Sequence, residues 1–243
     1  MTNRSTSWIK GAILAGLALM FAVKINTGTL NFYINQRFAW LALVAVLLFS
    51  ALALTVVFRL MDRAAQSSPL WSGHGRISLL GAGLLALPIA LGLLVPARPL
   101  GASALAGRGL GLGAPVRAGS APVAQRAGGQ RNIIDWLIEI SRSPDPAALA
   151  GQSVDVIGFV YHDPRTKANQ FFVSRFAVSC CVADATPVAL LVQTDDASAL
   201  KTDAWVRVIG RFGMGEYAGQ QLPIIAAERI EATQAPNQPY LFP

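Results

Sequence analysis

Residues 38–58 read "FAWLALVAVLLFSALALTVVF": 21 residues with no charge, bracketed by Arg37 and Arg59. At about 1.5 Å per residue, a helix of this length crosses a hydrocarbon core of about 30 Å. A soluble helix this long needs a polar face, and this stretch has none. It therefore predicts a transmembrane helix.

Two further apolar runs flank it. "ISLLGAGLLALPIALGLLVPA", residues 77–97, is again 21 residues long, with Pro88 expected to kink it. Upstream, Gly11 to Val23 gives 13 apolar residues between Lys10 and Lys24. This run spans, over about residues 9–25, only if both lysines snorkel. A cleaved signal segment is the alternative, since Arg4 and Lys10 precede it. The following "INTGTLNFYINQRF" offers no small-x-small cleavage pattern, which favours the span. With three spans, Arg4, Lys10, Arg59, Arg63 and Arg76 share one side, against Lys24, Arg37, Arg98 and Arg108 on the other. That asymmetry places the N-terminus in the cytoplasm and the C-terminal region outside.

Composition agrees with a membrane part. The chain is 53% hydrophobic and 14% charged, against about 25% charged in typical soluble domains. Its net charge of +7 is unevenly shared. Residues 1–130 hold eleven Lys/Arg and one acid, Asp62, giving +10, while residues 131–243 hold nine Lys/Arg and twelve Asp/Glu, giving −3. The basic half suits lipid headgroups. The acidic half argues against a nucleic-acid partner.

Residues 96–130, "PARPLGASALAGRGLGLGAPVRAGSAPVAQRAGGQ", contain few large apolar residues and no acid. They read as a flexible tether with a span of roughly 30 Å. Beyond it, "RNIIDWLIEISRS" has apolar residues at helical spacing, Asn132 as N-cap and Asp135 three residues on. Five strand signals follow, at residues 152–161, 169–179, 188–194, 204–212 and 222–230. Gly158 and Gly210 fall inside the first and fourth, where glycine permits sharp coiling. The expected fold is a membrane α-helical N-terminal region of two to three spans (residues 1–95). It is joined to a mainly-β domain (131–243), an OB-like five-stranded barrel with a short helix. Another small barrel or a sandwich is the alternative.

The pieces "GFVYHDPR", "NQFFVSRFAVSCCVADA", "DAWVRVIGRFG" and "PNQPYLFP" resemble the DUF1980 family. The layout of hydrophobic region plus C-terminal β domain is similar over nearly the whole chain. The resemblance implies a bacterial cell-membrane, multi-pass protein working with a separate multi-spanning membrane permease as an accessory subunit. It names no transported substrate.

Cys180 and Cys181, the only cysteines, stand side by side in "SCCVADA" (179–185). Neighbouring Cα atoms lie about 3.8 Å apart, whereas disulfides favour about 5.5–6 Å, so a bridge between them would be strained. In a regular strand their side chains would point to opposite faces. They could share a metal only where the strand ends or bulges, which "VADATP" permits. Asp184 could then turn back as an oxygen ligand, with His162 and Asp163 from the "YHDPR" loop adding to the set. Such ligands would suit zinc or another thiophilic metal. The bland alternative is a pair of core cysteines. Arg175, on the second strand, could pair with Asp184 or sit on a wet face.

No nucleophile elbow, Walker motif or HExxH is present, and the three glycines of "GMGEYAG" sit between strands as a hairpin. An enzyme is not expected. The competing functions are a membrane-tethered thiol-redox protein and a plain interaction module with structural cysteines.

Overall fold

The apolar runs form α1 (Asn3–Asn26), α2 (Ala39–Met61) and α3 (Leu79–Leu94). The structure is a computed structural model describing residues 3–61, 78–108, 131–143 and 145–242. The chain divides into two units, Met1–Arg98 and Pro99–Pro243. Arg63, Arg76 and residues 109–130 of the expected tether lie outside the described residues.

In the first unit, Thr6–Asn26 and Gln36–Met61 are long and apolar enough to cross a membrane. The first is longer than its 13-residue apolar run because the helix continues through both lysines. Lys24 rests its ammonium 5.0 Å from the centre of the Tyr33 ring, a contact that favours a cation beside an aromatic face. α3 is shorter than the 21 residues expected, at 16. Ser78 caps it by accepting from the Gly81 N–H at 3.0 Å. It ends because Val95 precedes Pro96 and is forced extended (φ −84, ψ 119). The helix continues through Pro88.

α1 and α2 run antiparallel, with Phe21 stacked on Phe49 and Gly11 facing Val56. α3 runs parallel to α1, since Gly16 faces Ile89 and Gly92 faces Met20. A Cβ on Gly92 would come 2.5 Å from the Met20 sulfur, so glycine sets that approach. The outer faces are leucine-rich and exposed, Leu47 by 70% and Leu84 by 72%. An apolar surface of this kind suits a non-aqueous neighbour.

The second unit holds α4 (Ala102–Arg108), α5 (Ile133–Arg142) and six strands: β1 (Ser153–Tyr161), β2 (Gln170–Ala177), β3 (Thr186–Gln193), β4 (Trp205–Tyr217), β5 (Gln220–Ala232) and β6 (Tyr240–Leu241). The sheet is mixed. Five strands close a ring in the order β1-β2-β3-β5-β4, and β6 pairs parallel with β2 outside it. All pairings in the ring are antiparallel except β3 with β5.

Both strand glycines permit close backbone approach. At Gly158, where β1 passes from β4 to β2, a Cβ would lie 2.6 Å from the Ser174 carbonyl oxygen. At Gly210 a bulge shifts the register against β5, and a Cβ would collide with the Ala226 carbonyl. β4 and β5 extend to a two-residue turn, Ala218 and Gly219, both at positive φ (50° and 81°). This is the hairpin expected of "GMGEYAG", reached several residues later.

α5 is capped as expected. The Asn132 side chain accepts from Ile134 and Asp135 N–H groups, and Asp135 accepts from the Asn132 N–H at 2.9 Å. Its Ile133, Ile134 and Trp136 join the main core with Val156, Phe171, Val208 and Ile225. Two further findings differ from the sequence reading. β6 is a sixth strand that carries no alternation because it is two residues long. α4 lies within the segment read as a tether. It folds because it needs only small residues and one leucine: Leu105 is fully buried against Phe159 and Phe176, with Ala102 beside it.

Candidate functional site

β2 leaves its ladder after Ala177, and the Val178 N–H donates instead to the Leu241 carbonyl at 2.9 Å. Freed from strand geometry, residues 179–185 form a turn around Asp184. Its carboxylate accepts from the Ser179 N–H (3.0 Å) and the Cys180 N–H (2.7 Å). A short 3-10 turn over Val182–Asp184 closes with the Asp184 N–H donating to the Cys181 carbonyl at 3.0 Å. Strand alternation no longer separates the two side chains. The Cys180 thiol points at the Cys181 sulfur, 3.7 Å away.

Both cysteines are free thiols, Cys180 exposed and Cys181 half-buried. They are therefore not core cysteines. The Cys180 thiol donates to Asp184 and, secondly, to Cys181, which pushes its pKa up to about 11. Burial raises the Asp184 carboxyl, but hydrogen bonds from the Cys180 N–H and thiol and from the Ser179 and Cys181 N–H groups outweigh it and hold the pKa low. The surroundings of Cys180 thus favour the thiol over the thiolate. A redox nucleophile wants the opposite.

The turn is buttressed from α4. Arg108 donates to the Ala185 carbonyl and, at 3.4 Å, to the Val182 carbonyl. At the other end of α4, Asp203 accepts from the Ala102 N–H at 2.5 Å. The Leu100 N–H donates to the Tyr240 hydroxyl at 2.9 Å. Arg108, Asp203, Leu105 and Tyr240 were missed by sequence reasoning. The one available signal was "ASALAGR", a run of helix formers inside glycine-rich sequence.

The remaining expected site residues lie in other arrangements. His162 Nε2 is 2.9 Å from the Leu200 carbonyl, and its ring sits beside Phe171. The buried Asp163 carboxylate is gripped by Arg165 through Nε (2.8 Å), Nη2 (2.9 Å) and the backbone N–H (2.8 Å). Arg165 hydrogen bonding holds the Asp163 carboxyl below the usual range despite burial. Arg165 also lies over the Tyr217 ring, and burial followed by the Asp163 charge raises Tyr217 to about 12. Arg175 reaches the C-terminal segment, donating to the carbonyls of Gln238 (2.5 Å) and Pro239 (2.9 Å). Thus Cys180, Cys181 and Asp184 come together, whereas His162 is engaged with Leu200 and Asp163 with Arg165 of its own loop. Among the described residues, no three or more His, Cys, Asp or Glu side chains are grouped to hold a metal ion.

Two apolar candidate spans and a small β domain carrying a vicinal pair of free thiols define a membrane-associated, two-part protein. Comparison with known sequences gives the family. Residues 9–111 match the DUF1980 N-terminal domain and residues 130–243 the DUF1980 C-terminal domain, and the chain belongs to this family. It is 26% identical over 275 aligned positions to a Streptococcus mutans protein named "Putative two-component membrane permease complex subunit", covering 96% of this chain and 98% of that one. It is also 26% identical over 99 residues to the Bacillus subtilis UPF0703 protein YcgQ, covering 40% of this chain and 35% of YcgQ.

Proposed function

We propose that the protein is a membrane-anchored accessory subunit of a bacterial permease complex. Its three apolar helices anchor it as a multi-pass protein, and its ring of strands is an OB-like barrel held on the extracytoplasmic side. The observation that carries the reading is the end-to-end match to a relative named as a permease complex subunit. The parallel course of α1 and α3 adds support, because three spans would deliver the chain after α3 to the side opposite the N-terminus.

The barrel offers Cys180 and Cys181 as half of a binding site for a thiophilic cation such as zinc. Two thiolates on one tetrahedral zinc, each at about 2.3 Å, lie about 3.8 Å apart, close to the 3.7 Å between these sulfurs. Two thiolates leave the coordination incomplete. The missing ligands would come from the cargo or from the permease subunit, which makes a half-site suited to a complex. A plain interaction module with no metal is the second reading; the raised thiol pKa counts against the redox one, and a bound cation would have to displace the Cys180 proton.

Affinity purification from native membranes tests the subunit assignment, with a multi-spanning membrane protein expected at near-stoichiometric amounts. Recovery of the chain alone, together with solute transport by that chain in vesicles, would sink it. Separately, zinc binding by the full chain in detergent should disappear in the Cys180→Ser/Cys181→Ser variant. Equal binding by both proteins would remove the half-site.

A further inference from the structure

We infer that α4 is a latch on the cysteine turn and that Arg108 is a positioning residue for the thiol pair, so that cation binding at Cys180 and Cys181 is coupled to the docking of α4. The inference rests on the half-site reading above and adds its regulation.

The geometry is a clamp with two ends. Asp203 receives the Ala102 N–H at the start of α4, and Arg108 at its end grips the carbonyls of Val182 and Ala185. Those carbonyls belong to the turn that begins at Cys181 and is closed by Asp184. The fork of Arg108 therefore fixes the far side of the loop whose near side carries both sulfurs. Between the two ends, α4 buries Leu105 completely. The two anchors are polar and lie at the unit's surface, so the helix is held by one leucine and a few hydrogen bonds.

The sequence of α4 points toward the membrane part. The DUF1980 N-terminal match runs on to residue 111, through α4, although α4 folds with the unit that starts at Pro99. Within its own unit α4 packs on the cysteine turn, where its docking and cation binding can bias one another. Coupling of this kind is reciprocal: whatever factor docking adds to cation affinity, the cation adds to docking.

The test uses the full chain in detergent with Cd²⁺ as the probe, read by thiolate-to-cadmium absorbance, and amide hydrogen exchange over residues 102–108. Arg108→Ala should weaken Cd²⁺ binding about tenfold, the low end for residues that orient ligands without touching the metal. Arg108→Lys, which keeps the charge without the fork, should recover only part of it. Asp203→Asn, which loosens the opposite end of α4, should weaken binding in the same direction. Cd²⁺ should slow exchange over 102–108 in the wild type and leave it unchanged in Cys180→Ser/Cys181→Ser. If Cd²⁺ binds the wild type but neither α4 variant changes its affinity and exchange over 102–108 is unmoved, the latch is wrong and the half-site stands. If Cd²⁺ does not bind the wild type, both fall together.

Discussion

The turn at Asp163 and the turn at Asp184 are built on the same device and serve different ends. Each aspartate accepts a nearby backbone N–H, from Arg165 at 2.8 Å in one and from Cys180 at 2.7 Å in the other. At Asp163 the same arginine also returns its guanidinium to both carboxylate oxygens, and the acid is buried beneath it. That turn is electrically closed and has nothing left to offer a ligand. At Asp184 no arginine fork among the described residues covers the carboxylate; the turn's arginine, Arg108, holds carbonyls instead. The acid is engaged by N–H groups and a thiol, and the Cys180 side chain is exposed. The lesson is that a carboxylate near a cysteine can be there to shape the loop and hold the thiol proton.

The comparison breaks most visibly through α4, which supports one turn only. Leu105→Ala should lower stability by about 2–4 kcal/mol, as for a fully buried leucine, measured by denaturant unfolding of the full chain. Hydrogen exchange should speed up at the Cys180 amide and stay slow at the Arg165 amide. Equal acceleration at both would mean that α4 supports the whole ring and not the cysteine turn.

Asp163→Asn should rank next, at about 2 kcal/mol, because it leaves a charged fork half-partnered over a buried group. It should also flatten the acid limb of stability. A carboxyl with a lowered folded pKa contributes stability above its unfolded pKa of about 4 and loses it as pH falls through the lower folded value. A wild-type acid limb that survives the substitution would assign that limb to other carboxylates.

Asp184→Asn should be milder in stability, about 1 kcal/mol, but sharper in chemistry. Exchanging the charged carboxylate for a neutral amide with one acceptor oxygen should bring the Cys180 pKa down toward that of an ordinary thiol, so alkylation at pH 8 should accelerate several-fold. An unchanged rate would show that Asp184 does not hold the thiol proton. The smallest effect is the pH profile of the wild type itself. Cys180 alkylation should keep rising to about pH 11. Because the folded pKa is raised, the protonated thiol favours the fold below the unfolded value of about 8.5, and that preference fades as pH climbs through 11.

Much of this was legible in the sequence. The uncharged 38–58 run appears as α2, the five strand signals as β1 to β5, and the Asn132–Asp135 spacing as a capping box, because each rests on local chemistry. What stayed hidden was long-range. No pattern announces that Arg108 will find the carbonyl of Ala185, 77 residues on, or that Arg175 will hold Gln238 and Pro239. The helix α4 was illegible because alanines and one leucine resemble a linker until a surface exists to receive them. The cysteine pair was legible as a question. Its answer needed the strand to end at Ala177, so that both sulfurs could turn to one side.

The hydrogen bond from Leu100 to Tyr240 spans 140 residues of sequence, and this has a consequence for synthesis. At about 5–20 residues per second, α4 is synthesised roughly 7–30 s before its partners Tyr240 and Phe242 exist. During that interval β6 is absent and the surface that receives Leu105 is incomplete. The newborn chain thus carries an unsealed apolar patch beside two open thiols. Completion of the cysteine turn is a late event in the life of each molecule, timed by translation.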